Sequence, residues 1–275
     1  MKSVITYFFK EYRHVQEAQL LQKLLALFVL YKCFYWSLDF ELLFSENSIV
    51  YFNETQIAAW RLPVFILFIA KSSFLSALFI VVAVISALNI LFFKKQLRLT
   101  FFILWLIVGN INNYIFCSLS AGEYLFQHLL FFAMFLSAGN NLKYADLDRA
   151  FHNTGVIALR IQVCLVYFLA GYAKLTDADW LSGNAVNGIF KVYDFSLPFL
   201  YQGSSLGSFL TYTVIAYQLL FPVLVWLKKI KKCFLLIGVL QHLFIAFIIG
   251  LPSFGFIMIV AYAIFYSPYS KSKNC

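Results

Sequence analysis

Two cations stand in a stretch of chain that is otherwise suited to hydrocarbon. From Ala158 to Leu175 the sequence is apolar apart from Arg160, Gln162, two tyrosines and Lys174. An Arg or Lys at the centre of a bilayer costs about 2.5–3.5 kcal/mol on insertion scales, so two in one span need a reason. At about 100° per residue on a helix, Arg160, Tyr167, Gly171 and Lys174 fall within roughly 60° of one another. The spacing predicts a helix with one polar face turned into a bundle. Gln162 lies off that stripe and needs another neighbour. The chemistry on offer centres on Lys174, because an amine stripped of water can act as a general base. Both cations also have a structural reading. Arg160, near the inner end of its span, and Lys174, near the outer end, can each reach headgroups along their aliphatic stems.

Two histidines extend the candidate set. His128 opens an apolar stretch from the outer side, at a depth similar to Lys174, and His242 falls near the middle of a later one. A single His in an apolar helix is more often a hydrogen-bonded core residue than a catalyst. Two histidines and a lysine facing one cavity would nevertheless make an acid–base site. No metal site is expected: the sequence has no HExxH pair, and Cys33, Cys117, Cys164, Cys233 and Cys275 show no CxxC spacing. The 17 tyrosines and 33 phenylalanines are first of all packing and lipid-facing residues. They can also line a pocket for a flat ring such as a quinone.

The elements that must hold these residues are transmembrane helices. Of 275 residues, 63% are hydrophobic and only 12% charged, where a soluble domain is nearer half apolar and a quarter charged. This excludes a soluble globular protein, a disordered chain and a nucleic-acid module. Eight spans are expected, at about 21–40, 72–93, 97–119, 124–138, 154–175, 206–227, 233–250 and 251–267. Trp60 to Ala70 is too short for a ninth and reads as an interfacial or re-entrant piece. With the N-terminus inside, fifteen of the 21 Lys and Arg fall on inner segments and three on outer loops, the remaining three being Lys32, Arg160 and Lys174 within spans. That bias predicts an all-α polytopic bundle with both termini cytoplasmic. The net charge of +9 is then a property of cytoplasmic loops. Met1 to Lys23 is mixed and charged and does not read as a cleavable signal. The longest outer loop, about 176–205, mixes Gly, Ser, Asn and Asp with aromatics and suits a lid over the outer mouth. Asn53-Glu54-Thr55 is a glycosylation sequon that matters only in a eukaryotic secretory pathway.

The residues of the polar stripe also carry a resemblance. Arg160-x-Gln162, then Tyr167-Phe168-x-Ala170-Gly171-x-x-Lys174-Leu175, then Trp180-x-x-Gly183-x-Ala185 resembles the HTTM membrane domain shared with vitamin K-dependent gamma-carboxylases. Gly238-Val-Leu-Gln-His242-Leu-Phe and Phe254-Gly-Phe-Ile-Met-Ile-Val-Ala-Tyr262 look like later spans of that family. The likeness is sharpest over 158–187 and 236–262 and implies one membrane domain over 1–275. Within the family the pieces Ile161-Gln162-Val163, Ala173-Lys174-Leu175 and Ile248-Ile249-Gly250-Leu251 look most like SdpB-type proteins of antimicrobial-peptide systems. Those act with a small SdpA-type partner to produce a mature toxin peptide from a secreted precursor.

The carboxylase likeness implies that Lys174 matches the base that deprotonates reduced vitamin K. It therefore implies a reduced quinone as a possible cofactor. Two departures stand against Glu carboxylation: no large β-rich lumenal domain is expected after the last apolar stretch, and the carboxylase histidine segment here reads Ser137-Ala-Gly-Asn140-Asn141-Leu. Asn hydrogen-bonds but does not relay a proton as imidazole does. The resemblance thus implies Lys174 as base or orienting cation, with His128 and His242 polarising or relaying. Arg160, Gln162, Tyr167, Asn140 and Asn141 would belong to the pocket, with Asp179 and Trp180 at its mouth. The rivals are a quinol-dependent carboxylase-like enzyme and a non-enzymatic peptide scaffold, export or immunity factor.

Overall fold

A computed structural model of the chain describes residues 8–45, 48, 73–115, 119–137, 145–191 and 204–266. The described residues are helical throughout, with turns between. They divide into two compact units, residues 1–159 with 267–275, and residues 160–266.

In the first unit, α1 (Val15–Leu38), the short α2 (Phe40–Phe44), α3 (Ser73–Leu88), α4 (Leu97–Tyr114) and α5 (Ala121–Ala133) precede the start of α6 (Ala145–Lys174). One face of α1 buries Leu21, Leu25, Val29 and Cys33. The Cys33 thiol reaches the Ile80 carbonyl of α3, and Phe28 meets Phe126 of α5 edge-on at 4.8 Å. At its far end α3 widens into a π-turn, Asn89–Phe93, in which Lys94 N donates to the Asn89 carbonyl. Asn89 Nδ2 then donates to the Lys95 carbonyl (2.7 Å) and to Thr100 Oγ1 (2.8 Å), closing the turn into α4. α5 starts at a capping box: Ser120 and Glu123 each bond the other's backbone amide region, and Ser120 Oγ also donates to the Glu123 carboxylate.

α6 begins nine residues earlier than the apolar run predicts. Asp146 and Asp148 lie in its first turn and Lys174 in its last, the charge placement a helix dipole favours. Its 30 residues span about 45 Å, more than the hydrocarbon core. The extra turns hold the N-terminal segment. Asn153 Nδ2 donates to the carbonyls of Phe8 (3.0 Å) and Glu11 (2.8 Å), and Asn153 Oδ1 accepts from Arg13 N (2.9 Å).

The second unit contains the rest of α6, two short helices α7 (Ala178–Leu181) and α8 (Ala185–Lys191), then α9 (Ser204–Leu224), α10 (Lys231–Phe247) and α11 (Pro252–Ala261), which ends in a 3₁₀ turn, Tyr262–Phe265. The sharp connection from α10 to α11 rests on Gly250 at φ 77°, a conformation that costs glycine little, and on Pro252 in the first turn of α11. α10 and α11 pack closely because Gly255 has no side chain. A Cβ there would lie 2.5 Å from the His242 carbonyl oxygen.

A described helix lies within or overlaps each of the eight apolar stretches. Among the described residues three helices are long and apolar enough to cross a membrane: Ser73–Phe93, Ala145–Lys174 and Ser205–Leu224. α3 leaves Leu78, Val81 and Ile85 exposed, an outward face that lipid satisfies and water does not. Together these features mark a helical membrane protein. The Trp60 to Ala70 piece, the sequon, and 192–203 of the outer loop lie outside the described residues.

Candidate functional site

The polar stripe of α6 is present, and its members have different surroundings. Tyr167 is 1% exposed and Arg160 8%, Gly171 is buried, and Gln162 and Lys174 are half-buried. Gly171 is required where it stands: a Cβ would meet Leu219 Cδ2 at 2.9 Å and Gln218 Cβ at 3.1 Å on α9. The half-buried Gln218 carries a side-chain oxygen that is enclosed and has no hydrogen-bond partner.

Tyr167 is the centre of a buried hydroxyl cluster. Its oxygen lies 2.6 Å from His242 Nε2 and 2.5 Å from the Tyr262 hydroxyl. Tyr262 continues to the Tyr217 hydroxyl at 3.1 Å, and Tyr217 donates to the Phe234 carbonyl at 3.2 Å. The rings are fixed by stacking: Tyr167 on Phe221 at 4.0 Å, Tyr217 on Phe234 at 4.5 Å and Phe221 on Tyr262 at 5.6 Å between centroids. His242 is 2% exposed, and its Nδ1 is enclosed without a hydrogen-bond partner. A buried polar atom in that state is uncommon and marks a site worth explaining.

Gly238, one turn before His242, makes the cluster possible. A Cβ at Gly238 would lie 2.1 Å from Tyr217 Oη and 2.3 Å from Tyr262 Oη. The tyrosine oxygens thus occupy the space that any other residue's side chain would fill.

Lys174 has a different environment. Its Nζ donates to the Ala170 carbonyl at 3.3 Å and stands 4.6 Å from the centroid of the Trp180 ring, a cation–π arrangement. Trp180 is set there by Asp177, whose Oδ1 caps α7 by accepting from the amides of Asp179 (2.9 Å) and Trp180 (3.2 Å). Asp179 contributes through its backbone, its carbonyl accepting from Ser182 Oγ and Asn184 N, while its side chain is exposed. Lys174 lies two helical turns from Tyr167, about 10 Å along the axis. The structure therefore places Lys174 with Trp180, and His242 with Tyr167, as two neighbouring stations on one helix face.

Arg160 takes a structural position. Its Nε donates to the Ile264 carbonyl at 3.1 Å, and its guanidinium lies 5.8 Å from the Trp226 ring and 5.9 Å from the Phe265 ring. It ties α6 to the 3₁₀ end of the last helix, where carbonyls lack helical partners.

His128 belongs to α5 of the first unit and is exposed. Asn140 and Asn141 lie outside the described residues. Among the described residues no group of three His, Cys, Asp or Glu is placed to hold a metal ion.

Sequence reasoning missed several polar groups. Tyr217 and Tyr262 come from helices far apart in the chain, and no local spacing marks them. In the first unit, Lys32 Nζ pairs with Glu123 Oε1 at 3.1 Å, and the two residues are 8% and 6% exposed. Lys32 was visible as a cation within a span, and Ser120-x-x-Glu123 is a readable capping box. Also in this unit, Asp148 accepts from Tyr12 at 2.7 Å and from Ser137, and pairs with Arg98 at 2.7 Å. Burial, and then the bonded Asp148 carboxylate, hold the Tyr12 phenol above its ordinary value, so Tyr12 is a donor at neutral pH. Next to it, Ser137 N donates to His152 Nδ1 at 3.1 Å, which leaves Nε2–H to donate to the Arg13 carbonyl at 2.8 Å. His152 is thus a fully bonded neutral histidine with a structural role.

Compared with protein-family models, with curated proteins and with solved structures, the chain matches none.

Proposed function

We propose that this chain is an SdpB-like, HTTM-type protein of a bacterial cytoplasmic membrane that helps to mature or modify a secreted toxin peptide at the outer face, together with a small SdpA-type partner. The eight apolar stretches act as eight spans with both termini cytoplasmic, in keeping with the bias of Lys and Arg toward inner segments. The observation that carries a chemical role is the enclosed Tyr167–His242 pair with its unpartnered Nδ1, on the helix face that ends at Lys174. His242 is the acid–base group in this reading. Lys174, at the end of α6 over Trp180, is the base or the cation that orients an acidic group of the peptide.

The test is mass spectrometry of the precursor peptide co-expressed with the wild type, with Lys174→Arg and with His242→Gln, at matched membrane protein levels. A mass change or cleavage made by the wild type and lost in both variants is the expected result. Arg keeps the charge but cannot act as a base at neutral pH. Lys174→Arg alone retaining activity therefore assigns Lys174 to orientation. Unchanged peptide processing in both variants refutes the reading and leaves a scaffold, export or immunity role.

A second reading, a quinol-dependent enzyme, draws on one feature. The residues fit a flat dihydroxy ring in kind: His242 Nδ1 and Gln218 Oε1 are acceptors without partners, and aromatic rings surround Tyr167, with Phe221 and Tyr262 stacked and Tyr217 edge-on. A reduced quinone would supply two O–H donors and a source of electrons. Its test is binding and turnover of a quinol by the folded, purified protein.

A further inference from the structure

The bonds of the hydroxyl cluster have a direction, and a single carbonyl sets it. The Phe234 carbonyl can only accept, so Tyr217 donates its proton there. Tyr217 then accepts from Tyr262, and Tyr262 accepts from Tyr167. With its own proton committed, Tyr167 accepts from His242 Nε2. We propose that Tyr217, Tyr262 and Tyr167 form a directional chain that holds neutral His242 as the Nε2–H tautomer, so that Nδ1 presents its lone pair to a hydrogen-bond donor, an O–H or N–H, of the bound substrate.

The reversed chain is poorer by count. It turns Tyr167 toward Nε2 as donor, gives up the bond to the Phe234 carbonyl, and leaves an Nδ1–H enclosed where no acceptor meets it. One net hydrogen bond favours the first polarity by roughly two- to tenfold in population. Tyr217 and Tyr262 do not touch Nδ1. They are positioning residues, and they act on His242 only because Gly238 lets their oxygens approach α10. This assignment of the reactive nitrogen rests on the functional reading above, while the tautomer itself is measurable without it.

The experiment is ¹⁵N NMR of the full chain in lipid nanodiscs with ¹⁵N-imidazole histidine, His242 being identified by the signals that vanish in His242→Gln. Wild type is expected to show a protonated Nε2 and an unprotonated Nδ1. Tyr217→Phe and Tyr262→Phe each remove one link and should bring the two tautomers toward equal populations, a change of about two- to tenfold in their ratio. A wild-type His242 protonated on Nδ1 overturns the proposal, as does an unchanged ratio in both tyrosine variants. Peptide maturation measured on the same His242→Gln protein decides the functional reading separately. If maturation persists, His242 is not the acting group, whatever its tautomer.

Discussion

Alanine at Gly238 separates the observed packing from ordinary helix behaviour, because the two predict opposite signs. In a helix interior Gly→Ala is favoured by about 0.8–1.0 kcal/mol. Here the new methyl group would stand 2.1 Å from Tyr217 Oη and 2.3 Å from Tyr262 Oη, while carbon–oxygen contacts need about 3.3 Å. Each hydroxyl must therefore retreat by about 1 Å. The rings cannot swing aside freely, since Tyr217 is stacked on Phe234 and Tyr262 on Phe221. Overpacking of this kind costs about 1–3 kcal/mol. The Tyr217–Tyr262 bond at 3.1 Å is lost with it, at about 1 kcal/mol. Set against the helix preference, the net result is a destabilisation of about 1–3 kcal/mol. For a chain of this size that corresponds to a fall in Tm of roughly 2–12 °C, read by intrinsic fluorescence of the purified protein in nanodiscs. Gly188 on α8 is the control, because a Cβ there meets nothing within 4 Å. Gly188→Ala should leave Tm unchanged or raise it. If Gly238→Ala also raises Tm, the tyrosine hydroxyls do not lie against α10, and the argument for the cluster fails.

Two further predictions concern the buried cations. Lys32→Met leaves Glu123 as an unpaired buried carboxylate and should cost about 3–5 kcal/mol, whereas Lys32→Met with Glu123→Gln should recover most of it, because Gln keeps the cap with Ser120. A double variant no more stable than the single one in the same melt would show that the pair is not a buried ion pair. Arg160→Lys removes the Nε–H bond to Ile264 and should lower stability by about 1–3 kcal/mol while peptide processing per folded molecule is retained. Processing lost at unchanged Tm would instead place Arg160 on the substrate.

The sequence by itself determined the helical class, the apolar stretches and the shared face of Arg160, Tyr167, Gly171 and Lys174. Each depends on local periodicity or composition, which survive without knowledge of neighbours. It also singles out His242 and places Gly238 one turn before it, but gives no reason for the glycine. Charge and span placement were read from the same data and support a topology, yet they do not say what a buried cation touches. The sequence allows Arg160 both a structural role and a place in the pocket, and the contact with the Ile264 carbonyl favours the first. The apolar span at about 154–175 does not show that α6 starts at Ala145, because its first turns are polar and are stabilised by bonds to residues 8–13 rather than by lipid.

Only tertiary structure brought Tyr217, Tyr262 and Phe234 to the Tyr167–His242 pair, and put Lys174 against Trp180 instead. Those partners arrive from α9, α10 and α11, and no helical period in α6 encodes which side chain of another helix will meet it. The direction of the hydroxyl chain is less local still. It depends on a backbone carbonyl of α10, a group that every residue carries, and whose availability is decided by packing.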